Sequence, residues 1–269
     1  MATEDKLVRL TGAISALESV LVAFSGGVDS TFLLAMCRNV LGEKVLAVTA
    51  DSPVYPAREL AGAAKAAASL GVKHLVVRTG QMRDPRFTAN PRDRCYHCKR
   101  MVFGELGEVA AANQIRSLVE GSNLDDGDDY RPGARAAEEL GVRRPLLEAG
   151  LTKAEIRAAS RDMGLAAWDR PSQPCLATRI PYGSPITERS LATIDDAETF
   201  VRGLGVGQVR VRHHGRLASI EVAPRDIVRL ADGDTRDRIV GHLKRLGYHH
   251  VVLDLAGYRT GSLNEGVTG

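Results

Sequence analysis

Short apolar runs alternate with longer stretches whose apolar residues recur at three and four spacing through the first half of the chain. The runs Val20–Phe24, Val45–Thr49, His74–Arg78 and Ser117–Glu120 read as strands of a parallel sheet covered on both faces. Between them, Thr31–Leu41, Ala57–Leu70 (ended by Gly71) and Lys99–Asn113 carry the helical period. Shorter helices over Gly133–Leu140 and Ala154–Met163 follow, the second opened by Thr152 and Glu155 as a capping box and closed by Gly164. The alternation predicts an α/β fold, an open doubly wound parallel sheet whose ligand lies at the carboxyl ends of the strands.

The pattern breaks over 169–185, where Pro171, Pro174, Pro181 and Pro185 interrupt any period. Beyond the break, helix Ser190–Leu204, strands Gln208–His213 and Ala218–Val222, helix Thr235–Leu246 and strand His250–Leu255 predict a small α+β unit. The domains expected are therefore residues 1–170, a Pro-rich linker over 171–185 that carries Cys175, and a smaller C-terminal α+β domain over 186–269. Residues 201–269 hold 11 Lys or Arg against 7 Asp or Glu, making this the more cationic part.

Charge and composition narrow the function. A net charge of +3 gives no large attraction to nucleic acid or anionic membrane, and twelve aromatics in 269 residues leave little for a base-stacking platform. Glu18, Ser25, Arg38 and Gly42 interrupt the apolar runs well short of a bilayer span, and Glu4 and Asp5 stand where a signal peptide would be apolar. The expectation is a cytoplasmic protein with no nucleic-acid or membrane partner.

The segment from Val22 to Ser30, VAFSGGVDS, runs from a strand straight into a helix. Gly26 and Gly27 let the backbone turn and approach a ligand, the helix start offers free N–H groups, and Ser25 and Ser30 add hydroxyls: an anion cradle. The loop lacks a Gly-Lys-Ser/Thr ending, so it carries no lysine for a γ-phosphate. Asp29 would repel a bare phosphate and makes sense with Mg²⁺ between it and a pyrophosphate. An ordinary glycine-rich turn is the bland alternative.

Four cysteines are too few for a disulfide framework at this length. Cys37, inside an apolar helix, reads as a packed small hydrophobe. Cys95 and Cys98 form a Cys-x-x-Cys pair, and Cys175 lies in PCLATR. Zinc would need four ligands, with His97 or Cys175 adding to the Cys-x-x-Cys pair, whereas three cysteines suit a [4Fe-4S] cluster with one iron open for an exogenous ligand such as sulfide.

The string SGGVDS resembles the PP-loop of the ATP pyrophosphatases, the family of GMP and NAD synthetases and tRNA-thiolating enzymes. The resemblance implies an adenine nucleotide alpha hydrolase-like fold and cleavage of ATP between the α- and β-phosphates, with adenylation of the substrate. Thr49 to Ser52, closing the second strand, and Gly121 to Asp126, after the fourth, would then face Ser25. Taken together, SGGVDS, NPRDRCYHCK, EGSNLDDGDDYRPG, PCLATRIPYG and GYRTGSLNE resemble, over nearly the whole chain, the ATP-dependent sulfur transferases of nickel-pincer nucleotide biosynthesis, the LarE family.

That resemblance implies adenylation of a carboxylate of pyridinium-3,5-biscarboxylic acid mononucleotide and its conversion to a thiocarboxylate. It carries catalysis to Cys175, Cys95 and Cys98 as [4Fe-4S] ligands, and ATP binding to Ser25, Gly26, Gly27, Asp29, Ser30, Thr49 and Gly121, with Asp29 and Asp125 on Mg²⁺. In a second kind of member the cysteine matching Cys175 surrenders its own sulfur and becomes dehydroalanine. Arg210 and Arg212 alternate along one strand and point the same way, forming either a fork for the substrate phosphate or an exposed strand face; Glu198 is a family-based candidate nearby. Arg179 would serve substrate or fold. The resemblance also implies a homo-oligomer, a hexamer built from trimers being one form, with the C-terminal domain binding substrate or building the assembly.

Three rivals stand. A tRNA thiolase also joins a PP-loop to clustered cysteines, but needs a basic, aromatic surface. A GMP or NAD synthetase-like amide ligase explains the loop and leaves the cysteines idle. A non-enzymatic ATP-binding module would need neither acidic Mg²⁺ ligands nor a cysteine triad.

Overall fold

The computed structural model describes residues 2–128 and 132–259 of the chain. Asp129, Tyr130 and Arg131 of the acidic segment, and Thr260 to Glu265 of GYRTGSLNE, lie outside the described residues. Contacts divide the chain into two compact units: the chain up to Phe87 together with Asp93–Gln173, and Thr88–Arg92 together with the chain from Pro174 onward.

In chain order the first unit contains α1 (Thr3–Ser15), β1 (Val20–Ala23), α2 (Val28–Leu41), β2 (Val45–Asp51), α3 (Ala57–Ser69) and β3 (Lys73–Arg78). The one-turn α4 (Pro85–Thr88), α5 (Arg94–Ala112), β4 (Ser117–Val119), α6 (Pro132–Glu139), the one-turn α7 (Pro145–Glu148) and α8 (Lys153–Asp162) follow. The four strands are parallel in the order β3-β2-β1-β4. Parallel strands are buried on both faces, which explains runs without polar alternation. Val20, Val22, Val45 and Ala47 enter one core with α1, α2 and α8, while Leu21, Leu46 and Val48 enter another with Val102, Phe103 and Leu106 of α5.

Strand order reverses between β1 and β4, so the crevice at their carboxyl ends is where such a sheet receives a ligand. The doubly wound parallel sheet expected from the sequence is the observed architecture. Helix α1 was not anticipated, although Leu7, Leu10, Ile14 and Leu17 carry a helical stripe that buries Leu10 and Ile14. Lys6 joins it to α8 through Glu155 at 2.8 Å. Thr152 and Glu155 form the expected capping box of α8.

The second unit contains α9 (Glu188–Gly203), β5 (Val209–His214), β6 (Leu217–Val222), the short α10 (Ile227–Ala231), α11 (Gly233–Arg245) and β7 (His250–Leu253). Its sheet runs β5-β6-β7, antiparallel then parallel. Val209, Val211, Ala218, Ile220 and Val222 pack against α9, α10 and α11, leaving Arg210, Arg212, Ser219 and Glu221 on the opposite face. Among the described residues no helix is long and apolar enough to cross a membrane.

Candidate active site

The turn from β1 into α2 uses its two glycines differently. Gly26 has φ +71°, and a β-carbon there would stand 2.9 Å from Ala63 Cα. Both the left-handed backbone and the contact with α3 demand glycine. Gly27 is the N-cap of α2 with φ −74°, and a β-carbon would meet only Ser25 Oγ, at 3.4 Å. Ser25 Oγ accepts from Gly27 N–H at 3.3 Å and lies 3.1 Å from Ser30 Oγ, so the hydroxyls fold the loop around the helix start. Backbone amides and the positive end of α2 therefore face the crevice.

Gly121 follows β4 at closest quarters: a β-carbon would lie 3.0 Å from Ser30 N and 3.2 Å from Asp29 C. The PP-loop and the β4 loop are brought together as expected. Thr49 supports the loop from below, donating its hydroxyl to Phe24 O at 2.8 Å and pairing with His74 Nε2 at 2.7 Å. Burial pushes the His74 imidazole pKa below its ordinary value, favouring the neutral ring.

The structure adds a residue that the loop motif does not contain. Lys153, the first residue of α8, donates from Nζ to Asp29 Oδ2. Its backbone N–H donates to Asp125 Oδ2 at 2.8 Å, so one residue joins both carboxylates assigned to Mg²⁺. The loop lacks a lysine, but the fold supplies one from 124 positions away. The capping box marks where α8 begins; only the sheet topology brings that start to the PP-loop. Asp29 Oδ1 is buried without a hydrogen-bond partner, which fits a hard cation drawn to carboxylate oxygen.

Cys95 and Cys98 do not precede a helix starting near Lys99, as the period suggested. Helix α5 begins at Arg94, so the two thiols sit at its N-terminal end at i and i+3, on one side. Neither forms a disulfide, and both are half-buried. Gln81, fully buried, places Nε2 3.9 Å from Cys98 Sγ. Lys99 reaches Glu120 at 2.7 Å, and Ser122 holds the other Glu120 oxygen at 2.7 Å, tying α5 to the β4 loop. His97 pairs instead with Asp93 at 3.5 Å. Among the described residues no three His, Cys, Asp or Glu side chains are arranged to hold a metal ion.

Cys175 belongs to the second unit. Its segment, expected to be flexible, is pinned: Cys175 caps a 3-10 turn over Leu176–Arg179. Arg179 donates to the carbonyls of Pro174 (2.8 Å) and Cys175 (3.1 Å). Arg179 also grips Glu198 at 2.7 and 3.1 Å, both side chains being 0% exposed. Glu198 accepts the N–H of Val211 from the free edge of β5 at 3.2 Å. Leaving a buried charge unpaired costs about 3–5 kcal/mol, so this pair is a structural anchor for the Cys175 turn.

The two strand arginines are not an exposed face. Arg212 is bound by Glu221 at 2.7 and 2.8 Å and donates to Thr178 O. Arg210 is buried over the Tyr258 ring, and desolvation, with Arg179 nearby, pushes its pKa down to about 10. Cys37 is packed in the core as expected, and burial pushes its thiol up to about 12. In the folded protein at neutral pH, a thiol reagent should therefore modify Cys95, Cys98 and Cys175 and spare Cys37. Mass spectrometry of labelled peptides checks this, and early label on Cys37 would contradict it.

The NAD synthase family model matches residues 5–88, which span β1, the PP-loop, β2 and β3. An uncharacterized protein of Synechocystis sp. is 41% identical, over 98% of this chain and 99% of its own length. Argininosuccinate synthase of Halobacterium salinarum is 31% identical over 55% of this chain and 41% of its own. The pyridinium-3,5-bisthiocarboxylic acid mononucleotide synthase of Lactiplantibacillus plantarum is 36% identical, over 100% of this chain and 97% of its own length. The chain therefore belongs to the family of that synthase, the LarE family of the PP-loop superfamily.

Proposed function

We propose that the protein is a cytoplasmic sulfur transferase that uses ATP and Mg²⁺ to adenylate carboxylates of pyridinium-3,5-biscarboxylic acid mononucleotide and converts them to thiocarboxylates. A carboxylate oxygen attacks the α-phosphorus and pyrophosphate leaves; sulfide then attacks the acyl carbon and AMP leaves with the bridging oxygen. The likeness to the synthase along its full length is the observation that carries this reading.

The chain's own residues divide the work. Ser25, Gly26, Gly27 and Ser30 hold the phosphates at the start of α2, beside Thr49 and Gly121. Asp29 and Asp125 would hold Mg²⁺, and Lys153, released from Asp29 as the cation arrives, is placed to meet the leaving pyrophosphate. Arg210 and Arg212, with Glu198 behind them, form the substrate-phosphate region of the second unit. Cys95, Cys98 and Cys175 are thiolate donors of the kind a [4Fe-4S] cluster takes, and when bound that cluster supplies a replaceable sulfide. A homo-oligomeric assembly rests on the family resemblance alone.

Purified protein with ATP, Mg²⁺, sulfide and the bis-carboxylate mononucleotide is expected to release AMP and pyrophosphate in step with thiocarboxylate formation. Release of ADP and orthophosphate would overturn the adenylation step, and AMP release without sulfur incorporation would favour an amide ligase.

A further inference from the structure

Arg170 lies five residues before Cys175, within the stretch over 169–185 where the sequence pattern breaks. Its guanidinium reaches back to the PP-loop. Nη1 donates to Gly26 O at 3.0 Å and Nη2 to Glu59 Oε2 at 2.8 Å. The seat is one face of α3: Glu59 binds the guanidinium, Gly62 lies beneath it and Ala63 supports Gly26. A β-carbon at Gly62 would stand 3.4 Å from Arg170 Nη1. Glycine is unfavourable inside a helix, and here the space it leaves is filled by Arg170. From α8, Arg157 donates to Trp168 O at 2.8 Å and to Arg170 O at 2.7 Å, fixing the backbone that carries the guanidinium.

Resting on the nucleotide reading above, we infer that Arg170 is a positioning residue for the PP-loop. The Gly26 carbonyl and the Gly27 N–H belong to one planar trans peptide and point opposite ways. Holding the carbonyl therefore fixes where the N–H aims. Gly26 is in the left-handed region and neither glycine has a side chain, so this peptide is held only through its own polar groups: Ser25 Oγ accepts its N–H at 3.3 Å and Arg170 binds its carbonyl at 3.0 Å. Arg170 fixes the carbonyl end of the peptide, so that Gly27 N–H, which rests on Ser25 Oγ in the nucleotide-free loop, keeps its aim when an anion takes the place of that hydroxyl. Because Arg157 of α8 holds the backbone carbonyls of both Trp168 and Arg170, occupancy of the loop that Arg170 grips is felt at Trp168. A lysine could not bridge a carbonyl and a carboxylate in this way, since its ammonium is a single point donor on a flexible stem.

Trp168 is the sole tryptophan and is partly exposed, so its emission reports the segment directly. The probe is Mg²⁺ with α,β-methylene ATP, which cannot be cleaved at the bond in question. Wild type should show a saturable change in Trp168 emission. Arg170→Met should weaken binding roughly tenfold, the equivalent of one hydrogen bond to a charged group, and lose the emission change. Arg170→Lys should recover little of either.

Gly62→Val, which crowds Arg170 from the helix below, should reproduce both effects and serves if Arg170→Met fails to fold. Hydrogen exchange at Gly26 and Gly27 in nucleotide-free protein should rise in either variant. Arg170→Met and Gly62→Val proteins that bind the analogue within twofold of wild type, with unchanged exchange and emission, would overturn the inference. Wild type that ignores the analogue while exchange still responds would strike the adenylation reading and leave the anchor standing.

Discussion

Asp29→Ala is expected to cut release of AMP and pyrophosphate by about a thousandfold or more, with the fold retained. Asp29 carries the one loop carboxylate, its Oδ1 is buried without a partner and its Oδ2 meets Lys153. Removing one preorganised electrostatic contact from a transition state costs about 10²–10³ in rate, and here a cation site is lost along with the partner that holds Lys153. The two glycines separate fold from chemistry. Gly26→Ala must place a side chain in the left-handed region and within 2.9 Å of Ala63 Cα, so it should destabilise by about 2 kcal/mol or more and lose turnover as well. Gly27→Ala meets only Ser25 Oγ at 3.4 Å and should unfold near the wild-type temperature, yet it puts a methyl group where the pyrophosphate approaches. Thermal unfolding read beside pyrophosphate release tests all three. A fully active Gly27→Ala would show that the phosphates do not lie against this peptide.

Much of the first unit was legible because parallel strands announce themselves as uninterrupted apolar runs. Val45–Thr49 was read as a strand, and β2 extends to Asp51 only because its last two residues pair with Val77 and Arg78 in spite of half-burial. The start of α5 was misplaced for a physical reason. Its first turn, Arg94 to His97, has no apolar stripe, yet Arg94 and Tyr96 are buried by contacts distant in sequence, Tyr96 to Glu139 among them. In the site, the PP-loop could be read locally since its glycines, hydroxyls and carboxylate are consecutive. Lys153, Gln81 and Arg170 could not, since each reaches its target from a separate element and no spacing rule links Lys153 to Asp29 or Arg170 to Gly26. The alternation of Arg210 and Arg212 was visible; that Glu221 and Tyr258 would engage them was not.

Cys95→Ala, Cys98→Ala and Cys175→Ala are each expected to lose bound iron and repeated turnover in anaerobically reconstituted protein, whereas Cys37→Ala should keep the iron. Cys95 and Cys98 present two thiols from one side of the N-terminal end of α5, and the buried Gln81 amide lies beside Cys98 as an N–H donor to its sulfur. Cys175 is held from behind, because Arg179 grips the carbonyls of Pro174 and Cys175 while Glu198 fixes Arg179. That anchoring is the opposite of what a freely swinging linker would show. The single-use alternative needs only Cys175: its thiolate attacks the adenylated carboxylate and AMP leaves, then loss of the α-proton breaks the Cβ–S bond, leaving dehydroalanine and the thiocarboxylate. It predicts one turnover per chain, a mass loss of one H₂S at Cys175, and full activity in Cys95→Ala and Cys98→Ala. Mass spectrometry of the Cys175 peptide after reaction separates the two. An intact Cys175 after several turnovers, with no iron in any of the three variants, supports the three-thiolate reading; dehydroalanine at Cys175 with undiminished Cys95→Ala and Cys98→Ala would replace it with sacrifice of the one thiol that Arg179 holds in place.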